Sequence, residues 1–120
     1  MDWTKIKHFK ESEFACPCCG RADMNEAHMV QLDQARDLAG VPFRINSGYR
    51  CDKHNLEVGG KVGSSHVKGF ASDIRADNSA DRFLILRALI VVGFRRIGIA
   101  KTFIHVDNDP EKDQRVAWLY

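Results

Sequence analysis

The stretch SSHVKGFASD, residues 64–73, carries the most informative spacing in the chain. His66 and Asp73 lie seven residues apart, with Gly69 between them. A glycine lets the backbone turn, so that a loop histidine and a strand aspartate can point at one place. Imidazole nitrogen and carboxylate oxygen are both ligands of Zn²⁺. The stretch therefore predicts a loop that leads into a strand and carries two metal ligands.

A third ligand has to come from elsewhere, and the best candidate is His105 in FIHVD, residues 103–107. Apolar residues flank His105 on what is predicted to be a strand, and there His105 and Asp107 point to the same side. Three protein ligands leave the fourth tetrahedral position for water, which is the pattern of a catalytic zinc site. Zinc lowers the pKa of such a water to about 7 and polarises a carbonyl oxygen.

The segments around these motifs predict an α+β fold. Helical spacing runs from about Asn25 to Ala39, and N-cap candidates precede a second helix from about Ala80 to Val92 that Gly93 ends. Short strands are predicted at 43–46, 71–75, 96–100, 103–107 and 116–119, with a glycine-containing loop from 47 to 65. Two main helices with clustered short strands indicate a small antiparallel sheet in a single domain, residues 1–120.

Charge and composition exclude several classes of protein. The chain has 18 basic and 16 acidic residues, so its net charge of +2 is too small for a nucleic-acid binder that relies on bulk positive charge. The longest apolar run, residues 83–94, is shorter than the roughly 20 residues that span a bilayer and predicts a buried helix. Because the N-terminus has no apolar run, we expect the protein to stay in the cytoplasm until it is released.

The motifs resemble those of a known peptidase family. The pattern SHxxGxAxD at residues 65–73 is similar to the first motif of the zinc D-Ala-D-Ala carboxypeptidases and L-alanyl-D-glutamate peptidases, which are bacterial and phage peptidoglycan peptidases. Upstream, INSGYR at 45–50 resembles the Ser-Gly-Tyr-Arg segment of that family, and FIHVD resembles the second ligand motif of its shorter branch. The resemblance runs from about His8 to Asp107.

The resemblance implies a D-Ala-D-Ala peptidase-like fold, which hedgehog signalling domains share. It implies three ligands for one catalytic Zn²⁺ ion: His66, Asp73 and His105. Arg50 is similar to the arginine that contacts substrate oxygen near the metal, and a guanidinium suits this work because it stays charged and offers a planar fork of donors. Ser47, in the same segment, and Ser65, which would support its loop, are further candidates for substrate binding.

The sequence departs from the family at the proton acceptor. Many members have Glu or Asp three residues before the last histidine ligand, whereas this chain has Thr102, which cannot act as a base. Asp107 is the substitute on the same side as His105, and Asp109 is the next candidate. Asp107 has a rival role, in which it holds a ligand in its tautomer and orientation.

The four cysteines allow three structural interpretations. They are Cys16, Cys18, Cys19 and Cys51. Cys16 and Cys19 have the spacing of a zinc knuckle, so a second, structural ion on four thiolates is one interpretation, although adjacent Cys18 and Cys19 strain simultaneous ligation. The second is a disulfide from the Cys16–Cys19 cluster to Cys51, formed after release. The third is a set of buried thiols that brace the N-terminal segment.

Together these observations predict a zinc peptidase that hydrolyses stem or cross-link peptides of bacterial peptidoglycan, as a phage endolysin-like endopeptidase does. We expect a monomer that binds neither nucleic acid nor membrane stably, and that acts on the wall after release from the host cytoplasm. A D-Ala-D-Ala carboxypeptidase, or a non-catalytic zinc-containing module that binds the wall, is the alternative. The remaining histidines and the tryptophans are expected to have no role in the site: His8, His28, His54, Trp3 and Trp118.

Overall fold

Five strands form one sheet at the centre of the fold, in the computed structural model that describes residues Met1–Tyr120. They are β1 (Ile45–Ser47), β2 (Ala71–Arg75), β3 (Arg96–Ile99), β4 (Phe103–Asp107) and β5 (Val116–Leu119). The spatial order is β1-β2-β4-β3-β5, and all neighbours are antiparallel except β3 and β5. Strand β5 reverses the direction of β4 but joins the sheet beyond β3, so it runs parallel to β3. The predicted α+β class is confirmed, with one parallel pair in a mostly antiparallel sheet.

Three helices accompany the sheet: α1 (Glu26–Ala39), α2 (Asp52–Glu57) and α3 (Ser79–Val91). The side chain of Asn25 accepts a hydrogen bond from the backbone N–H of His28 and caps α1, which ends at Gly40 in the left-handed region. Asn78 caps α3 in the same way. Both long helices match their predictions within one or two residues, but α2 lies in the segment that was predicted as loop. Short 3-10 helices at Trp3–Lys5 and Glu11–Phe14 complete the N-terminal segment.

The two faces of the central strands have different chemistry because side chains alternate along a strand. Ile74 of β2, together with Ile104 and Val106 of β4, belongs to the apolar core that includes residues of α1 and α3. Asp73 and His105 point the other way and line an open cleft. The sheet thus separates a hydrophobic layer from a polar site.

The prediction that residues 83–94 form a buried helix is wrong for part of the run. Ile85 and Leu89 are buried, whereas Phe83, Ile90 and Val91 of α3 are each more than half exposed. The apolar run exceeds what one helix face can bury, so some of it faces outward. No helix in the fold has both the length and the apolar character needed to cross a membrane.

Candidate metal centre

His66, Asp73 and His105 converge on the polar face of the sheet. Asp73 and His105 are directly paired in the antiparallel register of β2 and β4, and His66 comes from the loop before β2. Asp73 Oδ1 lies 3.0 Å from His105 Nδ1 and 3.3 Å from His66 Nε2. All three side chains are buried, and one ligand atom from each lies within 4.8 Å of the others. The structure therefore brings together the three residues that the two motifs singled out.

Hydrogen bonds orient both histidine rings towards Asp73. His66 Nδ1–H donates to the carbonyl oxygen of Gly48 at 2.8 Å, which leaves Nε2 facing the aspartate. His105 Nε2–H donates to Asp107 Oδ2 at 2.6 Å, which leaves Nδ1 facing it. Metal-binding histidines are commonly held in this way by a partner on the second nitrogen. Two imidazole nitrogens and one carboxylate oxygen suit Zn²⁺, so the residues present fit a zinc ion.

The two histidines favour the ionised form of the Asp73 carboxyl group. Burial alone would raise the pKa of Asp73, but hydrogen bonds and charges of His105 and His66 outweigh it and hold that pKa well below its usual range. In metal-free protein, burial would lower the pKa of His105, but the hydrogen bonds that its protonated ring donates to Asp107 and Asp73 outweigh this and raise it. A metal ion would replace the proton on Nδ1. Asp73 is therefore the carboxylate that metal binding requires.

Asp107 contacts His105, and both of its oxygens are engaged. Oδ2 accepts from His105, while Oδ1 accepts from Arg96 Nε at 2.8 Å and from the backbone N–H of Asp109 at 3.1 Å. Burial would raise the pKa of Asp107, but the bond to His105 and these further contacts lower it. The side chain is 1% exposed. These contacts favour the role in which Asp107 holds His105 over the role of proton acceptor.

Arg50 reaches the site from the loop after β1. Its Nη2 donates to Asp73 Oδ2 at 3.2 Å, its Nε to Ser47 Oγ at 3.0 Å, and its Nη1 to Asn55 Oδ1 at 3.3 Å. Only 15% of the side chain is exposed, and this part lines the cleft. Ser47 thus contacts Arg50, and its role as a substrate contact stays a prediction.

Ser65 and Asp109 tie the loop of His66 to the segment after β4. Ser65 Oγ donates to Asp109 Oδ2 at 2.8 Å, and Lys68 Nζ donates to the same oxygen at 3.0 Å. Burial would raise the pKa of Asp109, but the bond from Ser65, the backbone N–H of Glu111 and Lys68 lower it. Asp109 is fully buried. Its contacts favour a structural role over that of proton acceptor, and Ser65 stays a predicted substrate contact.

The cleft above the three residues has a volume of about 670 Å³. Four cationic side chains line it: Arg50, Lys61, Arg96 and Lys112. Three aromatic side chains also line it: Phe103, Trp118 and Tyr120. The Trp118 ring lies 5.5 Å from the His105 ring, and the Arg96 guanidinium lies 5.0 Å from the Trp118 ring. Arg96 was not predicted at the site, and Trp118 was predicted to lie outside it. Trp118 reaches the cleft only because β5 pairs with β3.

A model of the Peptidase M15 family matches residues 7–107. The chain belongs to this family. The matched region includes the three converging residues and Arg50, and ends at Asp107, the last residue of β4. Membership of this family supports the assignment of the chain as a peptidase. M15 peptidases are zinc enzymes, in agreement with the two imidazole nitrogens and one carboxylate oxygen that converge here. The search of curated proteins gave no match.

The four cysteines are free thiols that gather between the N-terminal segment and α2. The sulfurs of Cys16, Cys19 and Cys51 lie within 4.8 Å of one another. Burial would raise the pKa of Cys16, but backbone N–H groups of Cys51, Cys19 and Cys18 lower it to about 6. Only Cys16 is buried, whereas Cys18 and Cys19 are exposed, so the interpretation as buried thiols describes one of the four.

His28 supports the site from the opposite face of the sheet. This fully buried side chain of α1 hydrogen-bonds to Asn108 Oδ1 at 2.9 Å and to Ser72 Oγ at 2.8 Å. Ser72 precedes Asp73, and Asn108 follows Asp107. Burial lowers the pKa of His28 to about 4, so the ring is neutral near pH 7. The sequence contained one signal for this role, which is the position of His28 on the buried side of the predicted helix.

Proposed function

We propose that this M15 family member is a zinc-dependent peptidase that hydrolyses stem or cross-link peptides of bacterial peptidoglycan, in the manner of a phage endolysin. The observation that carries the proposal is the convergence of His66 Nε2, Asp73 Oδ1 and His105 Nδ1 at the floor of one cleft. These atoms would hold the ion. Bound zinc supplies a water of lowered pKa and polarises the scissile carbonyl.

The other polar residues of the site position these atoms and the substrate. Asp107 orients His105, and the carbonyl of Gly48 orients His66, so each ring presents one nitrogen to the cleft. Arg50 contacts Asp73 and lines the cleft, where its guanidinium can bind a substrate carboxylate or a carbonyl oxygen that gains charge during hydrolysis. Ser47 and Asn55 hold that guanidinium in place.

The cleft charge supports an anionic peptide as the substrate. Four cationic side chains line it, against the two carboxylates of Asp73 and Asp107, which already bind histidine and arginine. Stem peptides of peptidoglycan carry free carboxylates, so they complement such a lining. The aromatic rings of Trp118 and Tyr120 add apolar surface beside the cations.

A wall-binding module without activity is the second candidate function. It is favoured by Thr102 at the position where many relatives have an acidic residue, and by the engagement of both oxygens of Asp107. A carboxypeptidase that removes terminal D-alanine is an alternative reaction at the same site. Action on the wall after release from the host, as a monomer, remains part of the proposal.

The test is to incubate the zinc-loaded protein with purified peptidoglycan and to measure new amino termini and the masses of the released fragments. Wild type should generate new amino termini, and His66→Ala should not. His8→Ala is the matched control, because His8 bonds to Asp37 and lies outside the cleft. Peptide fragments would identify an endopeptidase, and free alanine alone would identify the carboxypeptidase. Zinc-loaded wild type that binds the wall and leaves every bond intact would establish the binding module.

A further inference from the structure

The loop CPCCG, residues 16–20, folds around the sulfur of Cys16. The backbone N–H of Gly20 donates to the Cys16 carbonyl oxygen at 2.7 Å, and the Cys16 N–H donates to the Arg21 carbonyl oxygen at 2.7 Å. Gly20 has a φ of +75°, which closes this turn at no steric cost. The turn brings the Cys16 and Cys19 sulfurs within 4.8 Å of each other.

Cys51 approaches this loop from the other side, at the start of α2. Its N–H donates to Cys16 Sγ at 3.5 Å, and its own Sγ accepts from the His54 N–H at 3.4 Å. The Cys19 sulfur lies within 4.8 Å of the sulfurs of Cys16 and Cys51. A hydrogen bond from N–H to sulfur strengthens when the sulfur is ionised, so the N–H groups of Cys51 and His54 would stabilise a thiolate on Cys16 and on Cys51.

The spacing of the sulfurs suits a shared metal ion. Cys16 Sγ and Cys51 Sγ are 3.6 Å apart, whereas a disulfide bond is about 2.05 Å long. Two sulfurs bound to one tetrahedral zinc ion at about 2.3 Å each are separated by roughly 3.8 Å. Thiolates this close repel one another unless a cation lies between them. Soft sulfur donors select Zn²⁺ over hard cations such as Mg²⁺.

We propose that Cys16, Cys19 and Cys51 bind a structural Zn²⁺ ion that is separate from the ion held by His66, Asp73 and His105. Tetrahedral zinc takes a fourth ligand, and Cys18 is the one remaining thiol of the chain. The proposal concerns a second site and does not depend on the peptidase activity.

This ion would fasten the N-terminal segment to the segment that orients the cleft. Cys51 directly follows Arg50, and the N–H of Tyr49 donates to the carbonyl oxygen of Phe14 at 2.9 Å. The next residue upstream, Gly48, accepts the hydrogen bond of His66. Removal of the ion should therefore loosen Arg50 and His66 together, although neither residue binds it.

Metal content and cobalt substitution test the site. Wild type purified under reducing conditions should hold about two zinc ions per chain, and Cys51→Ser about one. His66→Ala should also hold about one ion, because only the other site is lost. After replacement by Co²⁺, wild type and His66→Ala should show the sulfur-to-cobalt charge-transfer band, and Cys51→Ser should lack it. A wild-type protein without this band, or a band that persists in Cys51→Ser, would overturn the proposal.

Alkylation of wild type keeps the test decisive if Cys51→Ser fails to fold. The Cys19 side chain is exposed, so iodoacetamide should modify it rapidly unless a metal covers its sulfur. We expect slow modification of Cys19 in the zinc-loaded protein and fast modification after addition of a chelator, measured by peptide mass. Equal rates would contradict the proposal, and so would a Cys16–Cys51 disulfide found in protein kept under reducing conditions.

Discussion

The buried histidine of α1 makes the stability of the fold depend on pH. His28 has a pKa of 6.5 in the unfolded chain and about 4 in the fold, because burial disfavours its charged form. Above pH 6.5 both states are neutral and its effect is small. As the pH falls from 6.5 to 4, the unfolded chain binds a proton that the fold excludes, so stability is lost. Below pH 4 the loss is complete.

The size of this effect follows from the two pKa values. At about 1.36 kcal/mol for each pH unit between them, the full loss is about 3 kcal/mol. About 2 kcal/mol of it should be present at pH 5. Asp73 and Asp107, whose pKa values are lowered from 3.8 in the unfolded chain, lose their contribution to folding stability only at lower pH than His28 does. In metal-free protein the raised pKa of His105 has the opposite effect: its contribution to stability is present below pH 6.5 and is lost as the pH rises.

Urea unfolding at pH 7 and pH 5, followed by tryptophan fluorescence with zinc in excess, measures the effect. The comparison is between wild type and His28→Gln, because a difference between variants cancels the other titrating groups. Wild type should lose about 2 kcal/mol more than His28→Gln between the two pH values. Equal losses in wild type and His28→Gln would show that His28 is not the source of this pH dependence.

Three other substitutions test the supports of the site. Asp107→Ala should weaken zinc binding by about 10- to 100-fold in chelator competition; unchanged affinity with lost turnover would instead make Asp107 the proton acceptor. Ser65→Ala removes a donor to buried Asp109 and should cost about 1–3 kcal/mol by urea unfolding, whereas an unchanged midpoint would show that this bond contributes nothing. Gly69→Ala should destabilise more than Gly63→Ala: both have φ near +80°, but only at Gly69 would a Cβ lie 2.1 Å from a backbone oxygen, that of Asp23. Equal decreases in Tm for the two variants would show that the backbone relieves the contact between the new Cβ and the Asp23 oxygen.

The elements that depend on local patterns could be predicted from the sequence. Helix α1 has an Asn25 cap, regular apolar spacing and a terminal Gly40, so its limits are local properties. The alternation in FIHVD separates Ile104 and Val106 from His105, and this assigns the histidine to one face. Helix α2 was missed because six residues are too few for a periodic signal.

The sequence motifs predicted which residues form the candidate site, but not how the fold brings them together. The motifs nominated His66, Asp73 and His105, but the pairing of Asp73 with His105 is a long-range contact that no local pattern contains. The same holds for Trp118, which reaches the cleft because β5 pairs with β3. Cys51 is 35 residues from Cys16, so the sequence left the three interpretations of the cysteines open.

Restoring zinc to metal-free protein tests whether the ion at His66, Asp73 and His105 is required for hydrolysis. Metal-free wild type should regain peptidoglycan hydrolysis in proportion to the zinc bound by His66, Asp73 and His105, taken as total zinc minus the zinc that His66→Ala retains. We expect no hydrolysis without this ion and full hydrolysis once the site is filled. Full activity in metal-free protein, or a filled site with no new amino termini, would contradict it.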